Sequence, residues 1–329
     1  MKKLLALALA LIMVLSCAAA LADEPITLTY AEVNPLDGTI VGDVALAFKE
    51  KIEELSGGAI VVDIQASGVL GSEDKVLSGI LSGDKTVDIV RISPFALNQY
   101  GCVKSIFLSL PFVFQSEDHY WNFVQSDLAK EFLAEPQQVG LPLRGLAYGE
   151  EGFRNFFFKK AVSGIDDFKN LKIRVSQDTI MPKLVESLGA YATAVSFGEL
   201  YTSLQSGVVD AAEQPIVNYL GNSFQEPCPY MLMDGHTLGA IELIATDSGW
   251  AKLNDEQRAW VQEAADYAAE VCKNDVAVRE AEATATLLEK GCTLIPVEDK
   301  TPYVEATSQM VQDAIKGQEA TYDAIQALK

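Results

Sequence analysis

Apolar positions along the chain recur at two spacings that take turns. Ile26, Leu28 and Tyr30 alternate with Thr27 and Thr29, the period-two mark of a strand. Val41, Val44, Ala45, Phe48, Ile52 and Leu55 then return every three or four residues. That predicts an amphipathic helix stopped by Gly57-Gly58. A strand over 59–64, a helix over about 72–81 and a strand over 86–92 complete a βαβαβ rhythm, which points to an α/β fold with a mainly parallel sheet.

A second unit echoes the first. Ile80-Leu81-Ser82-Gly83 followed by Val87-Asp88-Ile89 matches Leu204-Gln205-Ser206-Gly207 followed by Val208-Val209-Asp210. Both are a helix end, a glycine stop and a short apolar strand. Leu171–Val175 reads as a strand, 179–188 as a helix, and Ser196 with Glu199 as a capping box opening another helix. Gln214 follows the strand predicted over 208–211 and precedes Pro215, at a strand end where ligands of α/β folds collect. The last third is helical. A segment from Asn254 to about Glu289 carries Trp260, Ala264, Tyr267, Val271 and Val278 on one face. It is one helix of about 45 Å or more, long enough to brace two lobes, or two helices broken near Asn274. Gly291 ends it, 292–296 is a short strand and another helix fills 302–328.

Residues 1–22 have a different pattern: Lys2-Lys3, an uncharged apolar run from Leu4 to Leu15, then Ala20-Leu21-Ala22 before Asp23. This is a secretory signal peptide, too short in its apolar run to span a bilayer. Leu15 is bulky for a lipoprotein box, so Cys17 is not expected to carry a lipid. Without 1–22 the chain has 307 residues, and its net charge moves from −21 to −23 as Lys+Arg falls from 25 to 23 beside 46 Asp+Glu. Nucleic acid is excluded as a partner, since a phosphate backbone needs a basic face. For Cys102, Cys228, Cys272 and Cys292, disulfides and buried free thiols both stay open.

Nothing supports catalysis, and neither a cofactor nor a metal is expected. The two histidines are His119, read as a solvated surface residue at a helix start, and His236; no GxSxG, HExxH, P-loop or GxGxxG after a strand is present. Carboxylate pairs such as Glu150-Glu151 are what 46 acids produce in any case. Arginine is the scarcer signal. There are six, and Arg154 lies in the aromatic strand Gly152–Phe156, while Arg174 lies between Ile173 and Val175. A charge inside an apolar strand faces solvent or an anion.

The stretch Val195-Ser196-Phe197-Gly198-Glu199-Leu200-Tyr201-Thr202-Ser203-Leu204-Gln205-Ser206-Gly207-Val208-Val209-Asp210-Ala211-Ala212-Glu213-Gln214-Pro215 resembles the long motif of TRAP-type solute-binding proteins of the DctP-like family. These are the extracytoplasmic receptors of tripartite ATP-independent transporters. Leu171–Val175 resembles the family's arginine motif and Ser67–Glu73 its loop in lobe one. The resemblance implies an α/β two-lobed clamp of the periplasmic-binding-protein type (type II-like), braced by a long helix. Lobe one would take 23–151 plus about 240–279, and lobe two about 152–239 plus 280–329.

It also implies a site. Arg174 matches the principal carboxylate ligand and Arg154 a second anion contact; Gln214 stands where the family commonly has Asn. Glu73 and Ser93 match contacts to hydroxylated ligands, and Asn34 lies in a loop lining the site. Arg91 shares a strand face with Ser93, and Asn218 and His236 lie near motif positions. The expected ligand is a small carboxylate, best a sugar acid such as a hexuronate or aldonate, handed by a monomer to a membrane permease in the periplasm or at the surface of a one-membrane cell. A dicarboxylate or other organic acid is the alternative ligand, and a sensing subunit or exported enzyme the alternative role.

Overall fold

Two strands far longer than the usual five or six residues run through the middle of the sheet. The computed structural model describes residues 24–329; the signal-peptide and Cys17 readings lie outside the described residues. The strands are β1 (Ile26–Ala31), β2 (Ile60–Gln65), β3 (Ile89–Ile92), β4 (Leu143–Phe158), β5 (Lys172–Val175), β6 (Tyr191–Ala194), β7 (Ala211–Pro215), β8 (Tyr230–Thr246) and β9 (Thr293–Pro296). They form one sheet in the order β2-β1-β3-β8-β4-β7-β5-β6, with β9 also on β8. Its flanks are parallel, as the βαβ rhythm predicts. Its centre is antiparallel, which the expected mainly parallel sheet did not include: β3 pairs β8, β8 pairs β4 and β4 pairs β7 in opposite directions. β4 has 16 residues and β8 has 17, so both halves of the sheet share them.

That central ladder is interrupted where it matters. Three steps along β4 from Glu150 to Phe153 match two along β8 from Ala240 to Leu238, a bulge with Gly152 at φ +82°. In a regular strand Glu151 and Arg154, three residues apart, would point to opposite faces; the extra residue brings both to one cavity. A wider irregularity follows on β8, where Arg154 pairs Thr237 but Phe156 pairs Leu232. The loop between, with Gly235 at φ +54°, is pinned by Phe156 N donating to Asp234 Oδ1 (3.0 Å) and Gly235 N donating to Asn155 Oδ1 (2.9 Å).

Besides the short helices Asp127–Leu133, Glu135–Gln138 and Asp247–Ala251, the helices are α1 (Ile40–Leu55), α2 (Glu73–Leu81), α3 (Glu117–Val124), α4 (Met181–Ser187), α5 (Leu200–Ser206), α6 (Ile216–Gly221), α7 (Asp255–Glu289), α8 (Thr301–Ile315) and α9 (Glu319–Gln326). α7 is unbroken at 35 residues, about 52 Å, and opens on an Asn254–Gln257 capping box. It buries Val261, Ala264, Ala265, Ala268, Cys272 and Val276 in one core with α1, and Arg279 grips Asp43 of α1 at 2.7 and 2.8 Å. The predicted face is right in part: Ala264 is buried and Trp260 and Val271 pack against the core, while Tyr267 is 39% and Val278 57% exposed. The inward stripe mixes alanines with Val261, Cys272 and Val276, and its small residues let α7 lie close against α1.

Other expectations shift for equally local reasons. Ser196 and Glu199 do not form a capping box: the hydroxyl donates to the Glu199 carboxylate at 2.6 Å, 197–199 is a 3-10 turn, and α5 begins at Leu200. The helix read over 302–328 is two, separated near Gly317 at φ +82°. β7 covers 211–215, so Gln214 lies within the strand rather than after it. His119 is buried, not solvated: Nδ1 accepts from Gln115 N (3.3 Å) and Nε2 sits 2.8 Å from the Ile325 carbonyl of α9. The four cysteines are free and buried, and burial pushes the Cys102 and Cys228 thiols up to about 12.

A Cβ on Gly152 would lie 2.0 Å from Glu280 Oε1 and at a left-handed φ. Gly152→Ala is therefore expected to lower stability by about 1–3 kcal/mol, read from the midpoint and slope of urea unfolding.

Candidate ligand-binding cleft

The carboxyl ends of β1, β3, β5 and β6 converge on a cleft of about 80 Å³ that is partly enclosed and partly open to solvent. From the β1–β3 side come Asn34, Ser72 and Glu73 at the start of α2, Arg91, Ser93 and Phe95. From the β5–β7 side come Arg174, Ser176, Gln177, Phe197, Gln214 and Asn218. β4 supplies Glu151 and Arg154 between them. Alternation explains Arg174: Ile173 and Val175 both enter the aromatic core, so the residue between them faces the other way.

Three arginines are buried here: Arg91, Arg154 and Arg174. An unpaired buried charge is costly, so their partners decide what each can do. Arg91 donates Nε to Glu32 Oε2 (2.7 Å) and Nη1 to Glu73 Oε1 (2.8 Å), and Nη2 also meets Glu32. Glu73 is further held by Ser93 N (3.2 Å) and the Ser93 hydroxyl (3.4 Å). Burial nevertheless raises the Glu73 pKa, Arg91 offsetting only part of it. Arg154 forms a two-point pair with Glu213, Nη2 to Oε1 at 3.0 Å, and its guanidinium lies 5.4 Å from the Phe95 ring centre across the cleft. Burial alone would raise Glu213, but Arg154 and His236 outweigh it and hold the carboxyl at about 2.

Arg174 has no carboxylate partner among the described residues. Its Nε donates to the Val195 carbonyl at 2.9 Å, and the Phe197 ring lies 6.0 Å away. Burial, reinforced by Arg154 and only partly offset by Glu213, pulls its pKa down to about 10. It is still charged at neutral pH and lines the cleft, and its terminal nitrogens make no hydrogen bond among the described residues.

The structure thus brings together eight of the nine expected residues: Arg174, Arg154, Gln214, Glu73, Ser93, Asn34, Asn218 and Arg91 all line the cleft. His236 does not. It sits one layer behind, stacked on Phe156 at 4.3 Å, with Nδ1 2.7 Å from Asp234 Oδ2 and Nε2 3.7 Å from Glu213 Oε2. Burial disfavours its charged form, yet Asp234 and Glu213 outweigh that and raise its pKa. It supports the Glu213–Arg154 pair rather than touching a ligand. Arg91 lines the wall as expected, with its donors engaged by Glu32 and Glu73. Asn34 donates its backbone N (2.8 Å) and Nδ2 (3.0 Å) to Glu32 and accepts from Asn222 (3.2 Å). Sequence reasoning missed Glu32, Glu213, Glu151, Phe95 and Phe197. Glu213 stood beside Gln214 inside the family motif, and Glu151 had been passed over as one acid among many.

Residues 30–318 match the family described as "Bacterial extracellular solute-binding protein, family 7". A TRAP periplasmic solute-binding protein from Pseudomonas putida F1, solved with bound D-glucuronate, is 27% identical and superposes with a TM-score of 0.84, covering 92% of this chain and 96% of that one. One from a Bradyrhizobium species, solved with D-galacturonate, is 29% identical with a TM-score of 0.85 over 92% and 99%. The C4-dicarboxylate-binding periplasmic protein of Rhodobacter capsulatus is 26% identical over 256 residues, 77% of this chain and 75% of that one. These neighbours share the two-lobed clamp.

The Glu213 carboxyl, ordinarily near 4.5, is held at about 2 in the folded protein. Its contribution is therefore complete above the unfolded value and is lost as pH falls through about 2. Glu213→Gln, which leaves Arg154 buried and unpaired, is expected to cost about 3–5 kcal/mol in urea unfolding at pH 7. The difference from wild type should shrink as the pH of the measurement is lowered below about 4.5.

Proposed function

Because the chain belongs to family 7 of the bacterial extracellular solute-binding proteins, we propose that it captures a sugar acid, a hexuronate or aldonate, and delivers it to the membrane permease of a TRAP transporter. The observation that carries this reading is Arg174, a buried guanidinium in a solvent-connected cleft with no carboxylate of its own. The family is one of binding proteins, not of enzymes. With Nε occupied by Val195, the terminal nitrogens offer a carboxylate two parallel hydrogen bonds at one orientation, which a lysine does not reproduce. Arg154 is pre-neutralised by Glu213 and supports the same end without adding a full free charge.

Capture is a shift of an open–closed equilibrium by contacts made only when closed. Arg154 over Phe95 and Asn222 on Asn34 join the two sides, and Gln99 Nε2 reaches the Gln177 carbonyl at 3.4 Å. Each closes the cleft against water and strengthens the arginine–carboxylate pair. The closed form is what the permease recognises. The protein works as an exported monomer, its leader 1–22 removed, in the periplasm or at the outer surface of a one-membrane cell; among the described residues no helix is long and apolar enough to cross a membrane. The two lobes meet along β4 and β8, close to the division at 151/152 and 239/240. A second reading, a C4-dicarboxylate, draws on the Rhodobacter relative's name; the acids of the cleft, Glu73 and Glu151, weigh against it.

A thermal-shift screen over sugar acids and organic acids tests the reading: a ligand at 100 times its Kd adds about 2.7 kcal/mol to stability. The Arg174→Ala protein is expected to lose binding by calorimetry, at least about 100-fold for the broken buried pair. Affinity within a few-fold of wild type would remove Arg174 from its role.

A further inference from the structure

Arg174 accounts for one end of the cleft, and the other end carries the opposite imbalance. Glu151 is 2% exposed and lines the cavity from β4. The ion pairs of the cleft, Arg91 with Glu32 and Glu73 and Arg154 with Glu213, leave it out. Asn218 Nδ2 donates to Glu151 Oε1, while Asn218 Oδ1, itself buried, has no hydrogen-bond partner. Burial raises the Glu151 pKa even with Arg91 and Arg154 close enough to oppose it. This end is therefore rich in acceptors: the Glu151 and Glu73 carboxylates line the cleft, and the unpartnered Asn218 Oδ1 is enclosed beside Glu151. Buried acceptors without donors are costly, and a ligand that brings the donors is selected over one that does not.

The spacing suits a polyhydroxy acid. Glu151 is on β4 and Arg174 on β5, with β7 between them. Ile173 is level with Phe158 through Ala211, so Glu151 lies well along β4 from Arg174. Two strand steps of about 4.8 Å and a run of about six residues at about 3.3 Å each separate their backbones by about 20 Å, and the two long side chains reaching in close much of that gap. A carboxylate seated on Arg174 would place the far hydroxyls of a six-carbon acid against Glu151. A second carboxylate there would meet two acids, with the Arg91 donors already engaged by Glu32 and Glu73.

Resting on the carboxylate-binding reading above, we propose that Glu151, held by Asn218, is the specificity-determining residue of the cleft: it accepts hydroxyl donors from a sugar monocarboxylate and excludes a second carboxylate. Like charges brought together in a desolvated site discriminate strongly, and rejection built from repulsion is a common route to specificity.

D-glucuronate and D-glucarate share a carbon skeleton and differ at C1, a ring hemiacetal in the first and a second carboxylate in the second. Calorimetry with both, compared between wild type and a charge-removed variant, therefore reads the proposal. Wild type is expected to favour glucuronate by about 100-fold or more. Glu151→Gln keeps the shape and removes the charge; the preference should fall by about tenfold or more, with glucarate gaining affinity and glucuronate weakening. Should that variant fail to fold, Glu151→Met removes the same buried charge with an apolar side chain of similar volume, an exchange that folded proteins tolerate well. A preference unchanged within twofold in a folded charge-removed variant overturns the assignment, and so does a wild type that takes glucarate as tightly as glucuronate. If wild type binds glucuronate through Arg174 and only these results fail, the carboxylate reading stands and Glu151 alone loses its role. If wild type binds no sugar acid or organic acid of the screen, both fall.

Discussion

Antiparallel pairing of β4 with β8 carries the chain twice through the centre of the sheet, and the parallel strands on either side are hung from that ladder. A change in the angle between the halves bends both strands together, while α7, capped at Asn254 and clasped to α1 by Arg279 and Asp43, stiffens one side. The ladder's irregularities matter as much as its regular part. The Gly152 bulge turns Glu151 and Arg154 onto one face, and the loop around Gly235 sets Asp234 and His236 behind Glu213. Two departures from ideal pairing thus put both the neutralised arginine and the unpaired acid in the cleft.

The cleft is an exercise in incomplete neutralisation. Arg91 is satisfied twice and Arg154 once, and only Arg174 keeps its terminal nitrogens for a guest. A site with three free arginines would hold any anion and would be costly to fold; a site with none would hold no acid. One guanidinium without a carboxylate, and one acid outside the ion pairs, are the imbalance on which the proposed recognition of a hydroxylated acid rests. The overall charge of −21 does not contradict this. Screening limits surface charge to about 8 Å at physiological salt, so the acidic exterior governs solubility and repels polyanions, while a small acid answers to groups it touches.

Much of this was legible along the chain. Alternation marked β1, three-and-four spacing marked α1, and a charge between Ile173 and Val175 marked Arg174 as facing away from the core, since strand periodicity leaves it no other choice. The family motif brought in Gln214 and the lobe-one polar residues. Where local reading failed, a neighbour distant in sequence had decided the matter. His119 is buried because α9 returns over it, and α7 turns its alanines inward because α1 lies close. Ser196 is the local exception, since it meets the Glu199 side chain three residues on where a cap was expected.

Local sequence, then, determined which segments are helix or strand and which side chains leave the apolar face, because both follow from backbone periodicity within a few residues. Only the tertiary structure decided which of the buried cleft arginines lacks a carboxylate partner. Glu32 reaches Arg91, and Glu213 reaches Arg154, across 59 residues of chain each. Neutralisation of a buried charge depends on partners within a few ångströms, and in this sheet the adjacent strands are not the consecutive ones.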